Sequence, residues 1–375
     1  MTGTGGNRLT GAKRLVVKIG SALLVDESSG LIRHDWLATL AADVAARRAA
    51  GQEVLIVSSG AIAVGRRYLN ITGRVLRLEE KQAAAATGQI QLAHAYREAL
   101  SAHNITAAQI LLTLDDTERR RRHLNARATM RQILDLGAVP IINENDTVAT
   151  EEIRFGDNDR LAARVAAMVG ADVLVLLSDI DGLYDSDPQA NPSAMHIGEV
   201  TAITPEIEAM AGKVLRGYAS GGMVTKLLAA KIALAGGCHM AIGDGRQDHP
   251  LQALADDGRC TWFVAEATPY SARKKWIAGS LKPKGALNID DGAVRALKNG
   301  RSLLPAGVSG VSGRFERGDL VTIISGDNRD LGRGLSAYSS ADTLRIAGHK
   351  TSEIEEILGY RGRNEVIHRD DLVLD

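Results

Sequence analysis

Aromatic residues are scarce: three Phe, three Trp and seven Tyr in 375 residues. In a chain that is 45% hydrophobic, the cores must therefore be built mainly from Ala, Val, Leu and Ile. Cysteine is nearly absent. Cys238 and Cys260 have no third thiol and no C-x-x-C around them, which excludes a disulfide scaffold. Two small buried hydrophobes in a reducing compartment are expected instead. Net charge is missing too. The 45 Lys+Arg balance 45 Asp+Glu, so no global field draws the chain to nucleic acid or an anionic membrane. The longest aliphatic run, Val173–Leu177, falls far short of the ~18 residues of a membrane span. The opening stretch, MTGTGGNRLTGAKR, lacks the apolar segment of a signal peptide. A soluble, cytoplasmic protein of about two domains, with no membrane partner, is expected.

Several catalytic signatures are absent as well. GNRLTGAKR (6–14) has Ala between Gly11 and Lys13, lacks the following Ser/Thr and precedes a strand, so it is no Walker A loop. No G-x-G-x-x-G follows the first strand, no kinase signature set of the protein-kinase type occurs, and H-E-x-x-H is missing. The nine histidines are scattered, which argues against catalytic zinc.

What is present is a regular alternation. LVVKIG (15–20), VLIVSSG (54–60), QILLT (109–113), VPIIN (139–143), VLVLLSD (173–179) and HMAIGDG (239–245) read as buried strands. Helical patterns lie between them around 35–50, 79–101, 124–136, 158–169 and 225–235. Near-continuous aliphatic strands separated by helices imply a mostly parallel sheet covered on both faces, an α/β three-layer sandwich. After KKWIAGSLKPKGA (274–286) the segments become short and Gly-spaced, with helices at 291–298 and around 351–358. A catalytic domain over 1–275, a linker at about 276–283 and a small β-rich, barrel-like module over 284–375 are expected.

In an open parallel sheet, ligands bind beyond the carboxyl ends of the strands. The residues there are Lys18-Ile19-Gly20-Ser21, Ser58-Ser59-Gly60-Ala61, Asn143-Glu144-Asn145-Asp146, Ser178-Asp179 and Gly243-Asp244-Gly245. Lys18 is the sharpest of them, because a lysine inside an aliphatic strand is costly unless its ammonium meets an anion or water. Ser58–Ala61 and Ser220-Gly221-Gly222-Met223 have the form of glycine turns that bring backbone N–H groups to phosphate, and Lys226 follows the second. Asp146, Asp157, Asn158 and Asp159 gather in one short stretch. One of them caps a helix; the others are suited to orienting the lysines, holding Mg²⁺ or clamping the ammonium of a small zwitterion. The run Arg119–Arg122 reads as a solvated face, since Asp115, Asp116 and Glu118 cancel much of its charge.

These strings together (VVKIGS, VSSGAIAVG, LLT, INENDTVAT, FGDND, SDIDGLY, SGGMVTK, ATPYSARKKWI, then GRSLLPAGV and RGD) resemble the amino acid kinase family. Within it they resemble the branch that phosphorylates glutamate and carries a C-terminal PUA module. The likeness runs from about Leu15 to the C-terminus. It implies ATP and Mg²⁺ as cofactors, L-glutamate as substrate, an L-glutamyl 5-phosphate product on the route to proline, feedback inhibition by proline and a homo-oligomer, dimer or tetramer. Position by position, it implies ATP contacts at Lys18, Ser178, Asp179, Ser220, Gly221, Gly222, Met223, Val224, Thr225 and Lys226. Glutamate contacts are implied at Ser59, Asp146 and Asn158, and Asp159 as organiser of the catalytic pair Lys18 and Lys226. Ser178 and Ser220 stand where the family commonly has Thr and keep the hydroxyl. No metal ligand is assigned, and the loop from Arg66 to Leu78 is expected to take part in proline inhibition.

Two other readings stay open. N-acetylglutamate, the substrate of a related kinase, has no α-ammonium and would not call for Asp146 and Asn158. An RNA-binding PUA protein on a non-catalytic sandwich is disfavoured by charge: residues 284–375 hold 13 Lys+Arg and 14 Asp+Glu, with only Phe315, Tyr338 and Tyr360 for stacking.

Overall fold

The computed structural model describes residues 5–71, 75–149, 158–212, 222–279 and 282–374. The chain divides into two compact units, one ending at Pro269 and the other beginning at Tyr270.

The first unit is built on eight strands: β1 (Arg14–Ile19), β2 (Glu53–Val57), β3 (Ala107–Leu112), β4 (Val139–Glu144), β5 (Val173–Ser178), β8 (Glu199–Val200), β9 (His239–Asp244) and β10 (Cys260–Phe263). A small ribbon of β6 (Leu183–Tyr184) and β7 (His196–Ile197) stands apart from them. Their order across the sheet is β3-β4-β2-β1-β5-β9-β10-β8. All neighbours run parallel except β10, which is antiparallel to β9.

Alternation along the strands supplies the two faces. Val17, Ile19, Val175 and Leu177 enter one core, beneath the helices His34–Ala49, Ala61–Tyr68 and Leu78–Ser101. Val16, Leu174 and Leu176 enter the other, beneath Asn158–Val169 and Met223–Ala235. The mostly parallel, three-layer sandwich expected from the aliphatic runs is thus present. Cys238 is fully buried and Cys260 half-buried, both as free thiols, and burial raises the pKa of each, that of Cys260 to about 11. No described helix is long and apolar enough to cross a membrane.

One contact sets how two helices of the first layer pack. A Cβ built on Gly65 would lie 1.7 Å from the Ala84 carbonyl oxygen, and one on Gly88 1.9 Å from that of Ala61. The helices Ala61–Tyr68 and Leu78–Ser101 therefore meet backbone to backbone, which only glycine permits.

The second unit holds β11 (Gly285–Ile289), β12 (Val308–Gly313), β13 (Leu320–Ser325), β14 (Asp330–Leu335) and β15 (Leu372–Leu374), ordered β12-β11-β13-β14-β15. Leu287, Ile289, Phe315, Ile323, Ile346 and Ile367 fill its core. The helix Pro269–Gly279 is tied to this unit by Arg273, whose guanidinium pairs with the buried Asp371 carboxylate. Helices at Asp291–Lys298 and Ile354–Leu358 lie where the sequence indicated them. A further one, Ser340–Ile346, carries too few apolar residues for its period to show.

Candidate active site

The polar residues converge along the carboxyl edge of β4-β2-β1-β5-β9, as the sheet topology requires. Lys18, two residues beyond Val16 in β1, shares its face and so points to the layer of Asn158–Val169 and Met223–Ala235. It does not snorkel to solvent. Its side chain is only 9% exposed, and Nζ lies 2.6 Å from Oδ1 of Asp159, which is fully buried.

Asp159 is the second residue of its helix and Lys226 the fourth of the neighbouring one, so the packing of the two helix starts brings them together. Lys226 Nζ is 3.3 Å from Asp159 Oδ2, and the Thr225 hydroxyl lies 3.0 Å from the same oxygen. Burial alone would raise the Asp159 pKa; the two ammonium groups and the Thr225 bond outweigh it and hold the carboxyl below its usual value. Burial, together with the Lys18 charge, pulls Lys226 below the usual lysine value despite Asp159. The cluster keeps one net positive charge at the mouth of two helix N-termini, where an anion is favoured.

On the β5–β9 side, Ser178 ends its strand, and its hydroxyl donates to Asp179 Oδ1 at 3.0 Å. Gly222 caps the Met223–Ala235 helix and its carbonyl accepts from Thr225 at 2.8 Å. Met223 and Val224 form the first turn of that helix. Ser220, Gly221 and Asp157 lie outside the described residues.

On the β4–β2 side, the Ser59 hydroxyl donates to the Ile19 carbonyl at 2.5 Å, tying the glycine turn to the end of β1. Asn158 is not merely a helix cap. Its amide nitrogen donates to the Ser58 carbonyl at 2.9 Å and to Asn143 Oδ1 at 3.1 Å. Both N–H groups are thereby used, and Asn158 Oδ1 is left buried with no donor among the described residues. A buried acceptor of this kind needs an incoming donor. Asp146 is partly buried nearby in sequence, and desolvation pushes its pKa up to about 6. A desolvated carboxylate and an orphan amide oxygen are complementary to an ammonium.

Sequence reasoning placed Asn143 at the carboxyl edge of the sheet without giving it a role, and did not single out Gln89 or Tyr96. Asn143 is buried, accepts from the Glu144 N–H at 2.9 Å and donates to Gln89 Oε1 at 2.7 Å. Tyr96, fully buried, donates to the Ser58 hydroxyl at 3.0 Å. Arg119 and Arg122 pair with Asp115 and Asp116, in keeping with a solvated face.

Among the described residues no three His, Cys, Asp or Glu side chains converge on a metal position. Both Asp159 oxygens already face ammonium groups. This donor set fits Mg²⁺ carried mainly on phosphate oxygens, which needs only one or two carboxylates from the protein.

The amino acid kinase family model matches residues 13–244, and the PUA domain model matches residues 285–358. The chain belongs to the amino acid kinase family. Glutamate 5-kinase of Paramagnetospirillum magneticum is 64% identical over 98% of this chain and 99% of its own length. The glutamate 5-kinase of Rhodospirillum rubrum is 60% identical, covering 96% of both chains. That of Gluconobacter oxydans is 58% identical over 98% of this chain and 97% of its own. These likenesses span both units, so the family's kinase sandwich and the PUA module occur here in one polypeptide.

Proposed function

We propose that the chain is an ATP-dependent glutamate 5-kinase. A side-chain carboxylate oxygen of L-glutamate attacks the γ-phosphorus, the bond to the β,γ-bridging oxygen breaks, and L-glutamyl 5-phosphate and ADP result. This is the step that opens proline synthesis. The observation that carries the reading is Asp159 holding Lys18 and Lys226 on its two oxygens at the sheet edge.

The nucleophile needs no base. With a pKa of about 4.3, the glutamate side chain is already ionised at neutral pH. The difficulty is to bring one anion onto another, so positive charge and positioning must supply the catalysis. In this reading Lys18, in β1 between the two halves of the site, meets the transferring phosphoryl group. Lys226 and the helix N-terminus behind it meet the nucleotide phosphates, with Ser178, Asp179 and residues 220–225 on the same side. Asp159 fixes both ammonium groups without neutralising them. Mg²⁺ brought by the nucleotide would add charge compensation.

Ser59, Asp146 and Asn158 hold the acceptor. The orphan Asn158 oxygen and the Asp146 carboxylate take the α-ammonium, which N-acetylglutamate lacks. Proline also carries an ammonium, so inhibition at these groups follows from the same chemistry. Self-association and cytoplasmic location accompany this reading.

An ATP-dependent assay in which hydroxylamine traps the acyl phosphate tests it. L-glutamate, N-acetylglutamate and L-aspartate are compared in this way and UMP by release of ADP, each with and without Mg²⁺ and proline. Product with glutamate alone, suppressed by proline, is expected. Product only with another acceptor would overturn the Asp146 and Asn158 assignment, and no product with any acceptor would turn attention to the PUA module and RNA.

A further inference from the structure

Three side-chain amides form a line with one sense of direction. Gln89 Oε1 accepts from Asn143 Nδ2 at 2.7 Å, Asn143 Oδ1 accepts from Asn158 Nδ2 at 3.1 Å, and Asn158 Oδ1 is the open end. Backbone groups fix that sense, because the Glu144 N–H can only donate to Asn143 and the Ser58 carbonyl can only accept from Asn158. Gln89 is the far anchor. It lies next to Gly88, whose backbone contact with Ala61 locks the Leu78–Ser101 helix against the helix that follows the Ser59–Gly60 turn. The anchor and the turn are therefore held at one relative height.

We infer that Gln89 is a positioning residue for substrate recognition: acting through Asn143, it holds the Asn158 amide so that its oxygen meets the substrate ammonium. Asn143 is 2% exposed, so without Gln89 its amide would have a buried N–H seeking another partner. Rotation of Asn143 to find one would bring its N–H groups against those of Asn158 and Glu144. The Asn158 oxygen would then leave its aim. Because the ammonium is held alike in ground and transition states, the effect falls on KM and not on kcat.

The inference rests on the glutamate reading, and the experiment separates the two. Acyl-phosphate formation is measured with L-glutamate and with glutarate, which lacks only the amino group, for the wild type, Gln89→Met and Gln89→Glu. The wild type should prefer glutamate strongly. Gln89→Met should raise the glutamate KM about 10-fold, the scale of one hydrogen bond to a charged group. Its kcat and ATP KM should stay within about 2-fold, and the preference over glutarate should shrink by a similar factor. Gln89→Glu keeps an acceptor for Asn143 and should restore most of the KM. Equal use of glutarate by the wild type would sink the ammonium clamp itself. A discriminating wild type with an equally discriminating Gln89→Met would sink the Gln89 role alone. A lowered kcat at unchanged KM, not rescued by Gln89→Glu, would make Gln89 merely structural.

Discussion

Lys18 Nζ sits 2.6 Å from Asp159 Oδ1, and this one ion pair joins the middle strand of the sheet to the start of a helix 141 residues later in the chain. It is buried, and a buried pair contributes little net stability over apolar packing. In the proposed reaction its value is positional: the carboxylate holds both ammonium groups from one point.

Replacing either lysine by alanine should lower kcat by roughly 10²–10³. The loss of Lys18 also leaves the fully buried Asp159 with less compensation, so Lys18→Met should lower the melting temperature. Adding Asp159→Asn to Lys18→Met should restore much of that temperature without restoring turnover. Thermal unfolding and kinetics on the same samples check both halves. Near-normal turnover of either alanine variant would remove that lysine from the mechanism.

The pH dependence follows from the same cluster. Lys226 has a pKa below the ordinary 10.5, so kcat should fall as pH rises through that lower value. Asp159 has a folded pKa below 3.8; its stabilising contribution is complete above the unfolded value and disappears as pH falls through the folded one. Turnover at saturating substrates between pH 7 and 11 is the measurement. In Lys226→Arg the alkaline limb of any remaining activity should move upward; an unmoved limb would assign it to another group.

Asp146 behaves in the opposite sense. Its pKa of about 6 predicts that kcat/KM for glutamate falls as pH drops through that value, as the carboxylate proposed to attract the ammonium is protonated. The limb should vanish in Asp146→Asn, with a raised glutamate KM and an ATP KM that changes less. A carboxyl whose folded pKa is raised costs stability once ionised, so Asp146→Asn should melt higher than the wild type at pH 8 and alike at pH 4. Parallel profiles for the two proteins would refute the assignment.

The Gly65–Gly88 contact should tolerate no side chain. Alanine at either position places a methyl group within 2 Å of a backbone oxygen, and the Ala61–Tyr68 helix, capped by Gly60, cannot yield without moving the Ser59–Gly60 turn. A loss of about 3 kcal/mol or more is expected, read by chemical denaturation. In any folded fraction the glutamate KM should rise more than the ATP KM. Wild-type stability in Gly88→Ala would mean that the helices separate freely.

The sequence by itself determined the sandwich and the edge on which the chemistry sits. Runs such as Leu15–Ile19 and Val173–Leu177 are too uniformly aliphatic to be anything but strands buried on both faces, and ligand sites follow from strand direction. Lys18 was legible because a charge in such a run demands an anion. Short strands were not: Cys260–Phe263 and Glu199–Val200 carry too few residues for any period to appear. The pairing of charges was left to the fold. The family resemblance named Asp159, but residue pattern alone does not separate it from Asp146; packing of two helix starts against β1 brings Asp159 to both lysines. Among Gln82, Gln89 and Gln91 on one helix, only the close approach at Gly88 decides which amide reaches Asn143. Hydrophobic patterning is a local property written residue by residue, whereas the partner of a buried polar group is whatever the tertiary structure brings within about 3 Å of it.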